Sequence, residues 1–224
     1  MIDWEPLLLT FKLALITTVI LLVVGIPIAY WLAYSKSKIK PLIETFVSMP
    51  LVLPPTVLGF YLLVAFSPSN AFGDWLDEWL GIRLIFTFGG LIIASIIYSL
   101  PFMVQPIQSG LESLPSHLKE ASYVMGKSRF TTLFKILLPN IKTSLRTGMV
   151  LAFAHTIGEF GVVLMIGGNI PGKTKVASIA IYDEVEALNY DTANSYSLIL
   201  LLITFSILLT VYLTNNKTFK RFGK

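Results

Sequence analysis

The 224-residue chain contains no cysteine, which excludes disulfides, thiolate metal sites and cysteine nucleophiles. Histidine is scarce too, with only His117 and His155. Two imidazoles in a chain without thiols are too few ligands for a zinc-type centre, so no metal site is expected. Charge is thin: 13% of the residues are charged, against about 25% in soluble domains. There is no Walker-type loop. The run Asn169-Ile170-Pro171-Gly172-Lys173-Thr174 ends like a phosphate loop but lacks the first glycine at the required spacing, so nucleotide binding by this chain is not expected. No catalytic constellation is expected either. The opening MIDWEP has neither a basic n-region nor a small-residue cleavage site, and the first apolar run is therefore expected to be a retained span.

What the chain does have is apolar length. Hydrophobic residues make up 54% of it and the mean hydropathy is +0.74. Several runs reach the 18 or more residues that a bilayer crossing needs. The expected fold class is an all-α membrane protein, one domain over residues 1–224, with about five transmembrane helices near 7–34, 42–66, 84–107, 145–168 and 196–213. Span two carries Pro50, Pro54, Pro55 and Gly59. Such breakers are tolerated only where the freed backbone faces protein or a water-filled cavity, so a kinked packing helix and a pathway wall both stand as readings. Trp75 and Trp79 mark interfacial anchors in a polar loop at 70–83. Pro101 and Pro106 are expected to close span three. In span four, Gly148, Ala152, Ala154, Gly158 and Gly161 invite close helix contact. A short amphipathic helix is expected at 178–188, inside a non-spanning loop at 169–195.

The longest polar interval, 114–139, is ordered rather than loose. Leu118, Ala121, Ser122 and Met125 recur at helical spacing. Gly126 permits a tight turn, and Ser128 suits an N-cap. Phe130, Leu133, Phe134 and Leu137 then form a second apolar face, expected to end at Pro139. The net charge of +4 is read by position rather than as a nucleic-acid signal. Thirteen of the 17 basic residues fall on one side of a five-span arrangement: at 36–40, in 114–146, and in the tail at Lys217, Lys220, Arg221 and Lys224. By the excess of Lys and Arg in cytoplasmic loops, the N-terminus is expected outside and the C-terminus and the hairpin in the cytoplasm.

Glu120-Ala121-Ser122, three residues, Gly126, nine residues, then Ile136-x-Leu138-Pro139 resembles the EAA pattern of permease subunits in bacterial ABC importers. The one departure is Ser122, where the pattern has a second alanine. The resemblance implies a type I ABC importer transmembrane domain whose hairpin docks on a separate ATPase dimer, with ATP and Mg held there and no cofactor in this chain. It also implies an extracytoplasmic binding protein that delivers the cargo. A second copy of the chain is expected, because five spans are too few to line an alternating-access path. The stretches PLVLPPTVLGFYLL and HTIGEFGVVLMIGGNIPGKTKVASIAIYD are similar to molybdate permeases, with tungstate and sulfate permeases as the nearest relatives. The implied function is ATP-driven molybdate import across the bacterial cytoplasmic membrane. Import of tungstate or sulfate is the alternative within the family. A secondary carrier or channel, and an intramembrane hydrolase built on His155 and Glu159, are the rivals outside it; the hydrolase would need a nucleophile or a metal triad.

The candidate pathway or gate residues are Pro54, Pro55, Thr56, His155, Thr156, Gly158, Glu159 and Gly161. Glu159 is the one carboxylate deep in a span, where ionisable groups default to functional hypotheses. His155, four residues earlier, would share its helical face. The pair reads as a hydrogen-bonded clamp, a proton-sensitive gate element, or an incidental neighbour. Thr56, Thr156 and nearby glycines can offer hydroxyl and backbone N–H donors to a passing oxyanion, or can simply pack. Lys173 and Lys175 either meet acidic residues of a binding protein or raise local anion concentration, unless they are solvated loop charges.

Overall fold

The computed structural model describes residues 2–219, and every regular element among them is helical. The basic tail residues Lys220, Arg221 and Lys224 lie outside the described residues. Helix α1, Glu5–Tyr34, has 30 residues and is about 45 Å long, enough to cross a bilayer with tilt. Its buried stripe (Leu7, Thr10, Leu13, Thr17, Leu21, Gly25, Ala29, Leu32) recurs every three or four residues, so one face packs and the rest is left to lipid. Pro27 lies within the helix without ending it.

Span two is not one kinked helix. Helix α2 (Lys40–Ser48) runs into a 3-10 turn at Met49–Leu51. Helix α3 (Pro55–Phe66) then leaves at 111° to that pair. The cause is local: the residue before a proline is pushed out of the helical region, and Pro54, standing before Pro55, has ψ 136°. The expected loop at 70–83 is largely helix α4, Ala71–Leu80, capped by Gly81 in the left-handed region at φ 63°. Trp75 and Trp79 are exposed on it.

Helix α5, Phe88–Glu112, starts four residues later than the expected span, where the Thr87 hydroxyl accepts from Gly90 N–H at 3.1 Å. Pro101 and Pro106 do not close it; both are interior. Neighbouring helices shelter the backbone that a transmembrane proline frees, and here α5 is packed between α1 and α9.

The hairpin comprises α6 (Ser116–Val124), a turn through Gly126 at φ 70°, α7 (Arg129–Thr132), a π-turn at Leu133–Leu137 and α8 (Leu138–Asn140). Pro139 does not stop the second helix. A proline clashes with the carbonyl four residues back; here the Leu138 N–H reaches back five residues to Leu133 O, and the widened turn lets the chain pass through. The Ser128 hydroxyl caps α7, accepting from Thr131 N–H at 3.2 Å.

Helix α9, Lys142–Ile157, breaks at residues 158–160 and α10, Gly161–Gly167, departs at 60°. Helix α11 is Ala177–Glu186 and α12 is Tyr190–Phe219. Among the described residues three helices are long and apolar enough to cross a membrane, or up to five spans if each bent pair counts as one.

Among the described residues a small buried cluster of Leu7, Ala177, Ala180 and Tyr196 joins α1 to α11 and α12, and two larger ones form the rest of the interior. One, with Leu21, Leu32, Met103, Ile107, Leu137 and Ala152, joins α1, α5 and α9 to the hairpin. The other, with Leu13, Leu58, Leu91, Val162, Ile166 and Ile179, sits beyond it where α3 and α10 pack on α5. In lipid such contacts gain little from leaving water and depend on close packing. Helix α12 stands aside, with Leu201, Leu202 and Phe205 exposed; the Tyr196 hydroxyl ties its start to Asp3 O at 2.8 Å.

Ser122, the departure from the EAA pattern, is fully buried. Its hydroxyl lies 2.8 Å from Thr132 Oγ1, whose own proton goes to Ser128 O at 2.9 Å. Ser122 is therefore the donor in a short chain that clips α6 to α7. An orphaned buried hydroxyl costs about 1–3 kcal/mol. Thr132→Val, which strands the Ser122 donor, is expected to lower the thermal unfolding midpoint of the detergent-purified chain more than Ser122→Ala, which leaves Thr132 its bond to Ser128. Equal shifts would remove the assigned direction of the bond.

Candidate functional site

The two breaks in the helical body meet. The chain at Pro54–Pro55 and the chain at 158–161 lie so close that a β-carbon built on Gly161 would stand 2.8 Å from Pro55 Cβ and 3.3 Å from Thr56 N. Only glycine fits there. Around this junction opens a cavity of about 440 Å³ lined by Pro55, Thr56, Tyr98, Ala154, His155, Gly158, Glu159, Phe160 and Gly161. The structure thus brings together Pro55, Thr56, His155, Gly158, Glu159 and Gly161 from the expected set. Pro54 lies just outside the lining as the N-cap of α3.

Thr156 does not belong to the wall. It is buried, donates to Ala152 O at 2.9 Å, and faces Ser99 Oγ at 3.1 Å. Of the two readings, oxyanion donor and packing residue, its placement fits packing: successive helical residues point about 100° apart, so Thr156 turns away from the wall that His155 lines.

His155 and Glu159 form no clamp with each other. Helix α9 ends at Ile157, so Glu159 sits in the break and the shared helical face is lost. Each side chain is instead held by a serine of α5. The Ser95 hydroxyl donates to Glu159 Oε2 at 2.9 Å, and Ser99 Oγ lies 2.9 Å from His155 Nδ1. The imidazole is stacked on Phe102, ring centres 3.9 Å apart, with Tyr98 at 4.7 Å. Glu159 is 4% exposed, and its Oε1 has no hydrogen-bond partner. Its backbone carbonyl accepts from Ser178 Oγ at 2.6 Å, which carries α11 into the site. Ser95, Ser99, Tyr98, Phe102 and Ser178 escaped the sequence reading. The signal for two of them was present: Ser95 and Ser99 stand at i, i+4 in an apolar run, one polar ridge facing the break.

A serine touching a histidine invites a hydrolytic reading. Ser99 is fully buried, however, so its oxygen has no approach for a substrate carbonyl. Among the described residues no group of three or more His, Cys, Asp or Glu is placed to hold a metal ion. To an anion the cavity offers the hydroxyls of Thr56 and Tyr98, beside His155 and Glu159, on a wall that contains no lysine or arginine.

The hairpin is the second candidate site. Glu120, Ala121, Gly126 and Pro139 are exposed, Ile136 is half-buried, and Ser122 and Leu138 are buried. The expected faces are only partly packed: Leu133 and Leu137 are buried and Leu118 half-buried, but Met125, Phe130 and Phe134 are exposed, beside Val124 at 89% exposure. The Phe130 and Phe134 rings cover each other, centres 4.4 Å apart, and leave an apolar ridge in the open. Across the molecule Lys175 is not a free charge, since its ammonium pairs with Asp183 at 2.6 Å.

An all-helical membrane body with two broken spans around a shared cavity, and a hairpin that bears an exposed apolar ridge, is the form of the membrane-spanning subunit of a transporter. The chain belongs to the family of binding-protein-dependent transport system inner membrane components, whose model matches residues 25–220. It is 46% identical over 211 residues to the molybdenum transport system permease protein ModB of Azotobacter vinelandii, covering 94% of this chain and 93% of that one. A probable sulfate transport system permease protein, cysT of Marchantia polymorpha, is 34% identical over 212 residues, covering 91% and 72%. Among solved structures, a bacterial ABC transporter involved in the import of the acidic polysaccharide alginate superposes with a TM-score of 0.73 at 20% identity, over 99% of this chain and 82% of that one. The chain is thus a permease subunit of the ABC importer type.

The junction yields a contrast between two neighbouring glycines. A β-carbon at Gly158 would meet nothing nearer than 3.8 Å, whereas at Gly161 it would run into Pro55. Gly161→Ala is expected to cost about 1–3 kcal/mol by overpacking, read as a lowered unfolding midpoint in detergent. Gly158→Ala is expected to stay within about 0.5 kcal/mol of the parent. A reversed order would remove the close approach of the two breaks.

Proposed function

We propose that this chain is the non-catalytic, membrane-spanning subunit of a molybdate importer in the bacterial cytoplasmic membrane. Two copies line the path, an ATPase dimer holds ATP and Mg, and an extracytoplasmic molybdate-binding protein supplies the cargo. The observation that carries the substrate is the 46% identity, over nearly the whole of both chains, to a molybdenum permease. The 34% identity to a probable sulfate permease supports the alternative, transport of sulfate or another tetrahedral oxyanion by the same machinery.

In this reading the hairpin is the docking element. Val124, Met125, Phe130 and Phe134 are large apolar side chains left in the open, as a ridge that fits a groove on a partner would be, and Glu120 is exposed beside them. The distribution of basic residues orients the hairpin to the cytoplasm, with the N-terminus and the 169–195 segment outside. ATP binding draws the two hairpins together. Because α9 follows α8 directly and ends at the break, displacement of the hairpin is delivered to the Gly158–Gly161 wall of the cavity. The oxyanion passes by exchanging water for the hydroxyls of Thr56 and Tyr98 and for backbone N–H groups at the start of α3.

Two experiments test the reading in proteoliposomes containing the assembled importer. Gly126→Pro cannot hold the positive φ of the hairpin turn, and Glu120→Lys reverses the charge beside the ridge. Both proteins are expected to reach the membrane yet lose binding-protein-stimulated ATP hydrolysis and uptake together; full coupling in both would sink the docking role. For the cargo, uptake of labelled molybdate is expected to resist a large excess of sulfate while unlabelled molybdate abolishes it. Efficient competition by sulfate would transfer the assignment to the sulfate branch.

A further inference from the structure

A second cavity, about 290 Å³, opens at the hairpin end of α1 between Tyr30, Trp31, Tyr34, Lys119, Tyr123 and Arg129. Lys119 is held among three aromatic rings: its ammonium is 4.0 Å from the centre of Tyr34, 5.9 Å from Tyr30 and 6.0 Å from Tyr123. Cation–π contact positions an ammonium over a ring face, but it leaves the N–H donors without an acceptor. Arg129 supplies a second cation to the same cavity.

Three basic side chains find carboxylates: Lys40 approaches Glu44 and Glu112, Arg83 bonds Asp77, and Lys175 bonds Asp183; the other lysines and arginines whose side chains are described do not. Among the described residues neither Lys119 nor Arg129 has such a partner. Two cations with unspent donors, converging on one open cavity, call for an anion. Phosphate fits, because guanidinium binds its oxygens in a fork and ammonium acts as a point charge beside it.

The position of the cavity says which phosphate. Leu8, Leu15, Val19 and Val23 are exposed on α1 at intervals of seven, four and four residues, one apolar stripe along the helix. Trp31, eight residues after Val23, ends that stripe and forms part of the cavity wall. Tryptophan at the end of an apolar helix marks the level of the lipid headgroups. The cavity therefore opens where lipid-facing surface stops. A choline headgroup would compete for an aromatic cage that Lys119 already fills, and would set its own cation against Arg129.

We propose that this cavity is a headgroup site for an anionic phospholipid, with the phosphate between Lys119 and Arg129 and the acyl chains along the α1 stripe that ends at Trp31. A lipid seated there bridges α1 to α6 and gives the hairpin a footing in the bilayer. The site is separate from the substrate path and does not depend on which oxyanion is carried.

The test uses the full chain with Trp31 as its one tryptophan (Trp4, Trp75 and Trp79 replaced by Phe), in nanodiscs containing brominated phosphatidylglycerol or brominated phosphatidylcholine. Quenching of Trp31 is expected at about thirty-fold lower mole fraction of the anionic lipid, an effect of the size two interfacial cations produce. K119Q/R129Q is expected to erase the preference, and K119R/R129K to keep it. The comparison of the two lipids on the unmodified cavity decides the matter even if K119Q/R129Q folds poorly. Equal quenching by both lipids would overturn the proposal. Release of the phosphatidylglycerol quenching by inorganic phosphate would overturn it as well, by making a free anion the ligand.

Discussion

Backbone that leaves its helix inside a bilayer must be sheltered by protein, and the rest of this molecule is arranged around that constraint. Two spans are broken, at Pro54–Pro55 and at 158–160. Either break alone would expose N–H and C=O groups to hydrocarbon at several kcal/mol each. The chain places the two against one another, and Gly161 lets them touch. Ser178 donates to the Glu159 carbonyl from a third element, and Ser95 and Ser99 bring hydroxyls from a fourth. The cavity is what remains between two breaks that shelter each other.

This arrangement also joins the two candidate sites. Helix α9 is a 16-residue rod, about 24 Å long. One end is continuous with the hairpin through α8, and the other is the Gly158 break. It packs along α5, which carries the serines that hold His155 and Glu159. The hairpin itself is stiff, fixed by the Ser122–Thr132–Ser128 hydrogen bonds and carried without interruption through Pro139 by a π-turn. A soft hairpin would absorb a displacement; in the proposed importer this one would pass it on to α9.

What was legible in the sequence was whatever depends on short-range rules. Apolar run length located the long helices, the Gly126 turn and the Ser128 cap lie as local chemistry requires, and the EAA spacing led to the family. What was illegible depends on geometry between segments. Three prolines in span two announce a break but not its direction, so a 111° bend was read as a kink. Pro101, Pro106 and Pro139 were read as helix ends because proline costs a hydrogen bond; packing and a π-turn absorb that cost. His155 and Glu159 were paired on the assumption of an unbroken helix, and the break at Gly158 turned each toward a different serine of α5. Phe130 and Phe134 have the periodicity of a buried face, yet they are exposed, since periodicity records which residues avoid water and not which molecule covers them.

The character of the cavity wall bears on how an anion would cross. Lysine or arginine beside the path would hold a divalent oxyanion firmly, and conduction needs a site weak enough to leave. The wall offers Thr56 and Tyr98 hydroxyls and no lysine or arginine, while Lys119 and Arg129, which pair with no carboxylate among the described residues, stand apart in a cavity of their own. A wall without lysine or arginine also has little with which to tell one tetrahedral dianion from another. In the proposed importer, discrimination therefore belongs to the protein that delivers the cargo, and this subunit contributes passage and its timing. That division accounts for molybdenum and sulfate permeases sharing so much of this chain: what they have in common is a way of opening, and what separates them need not be written in the wall.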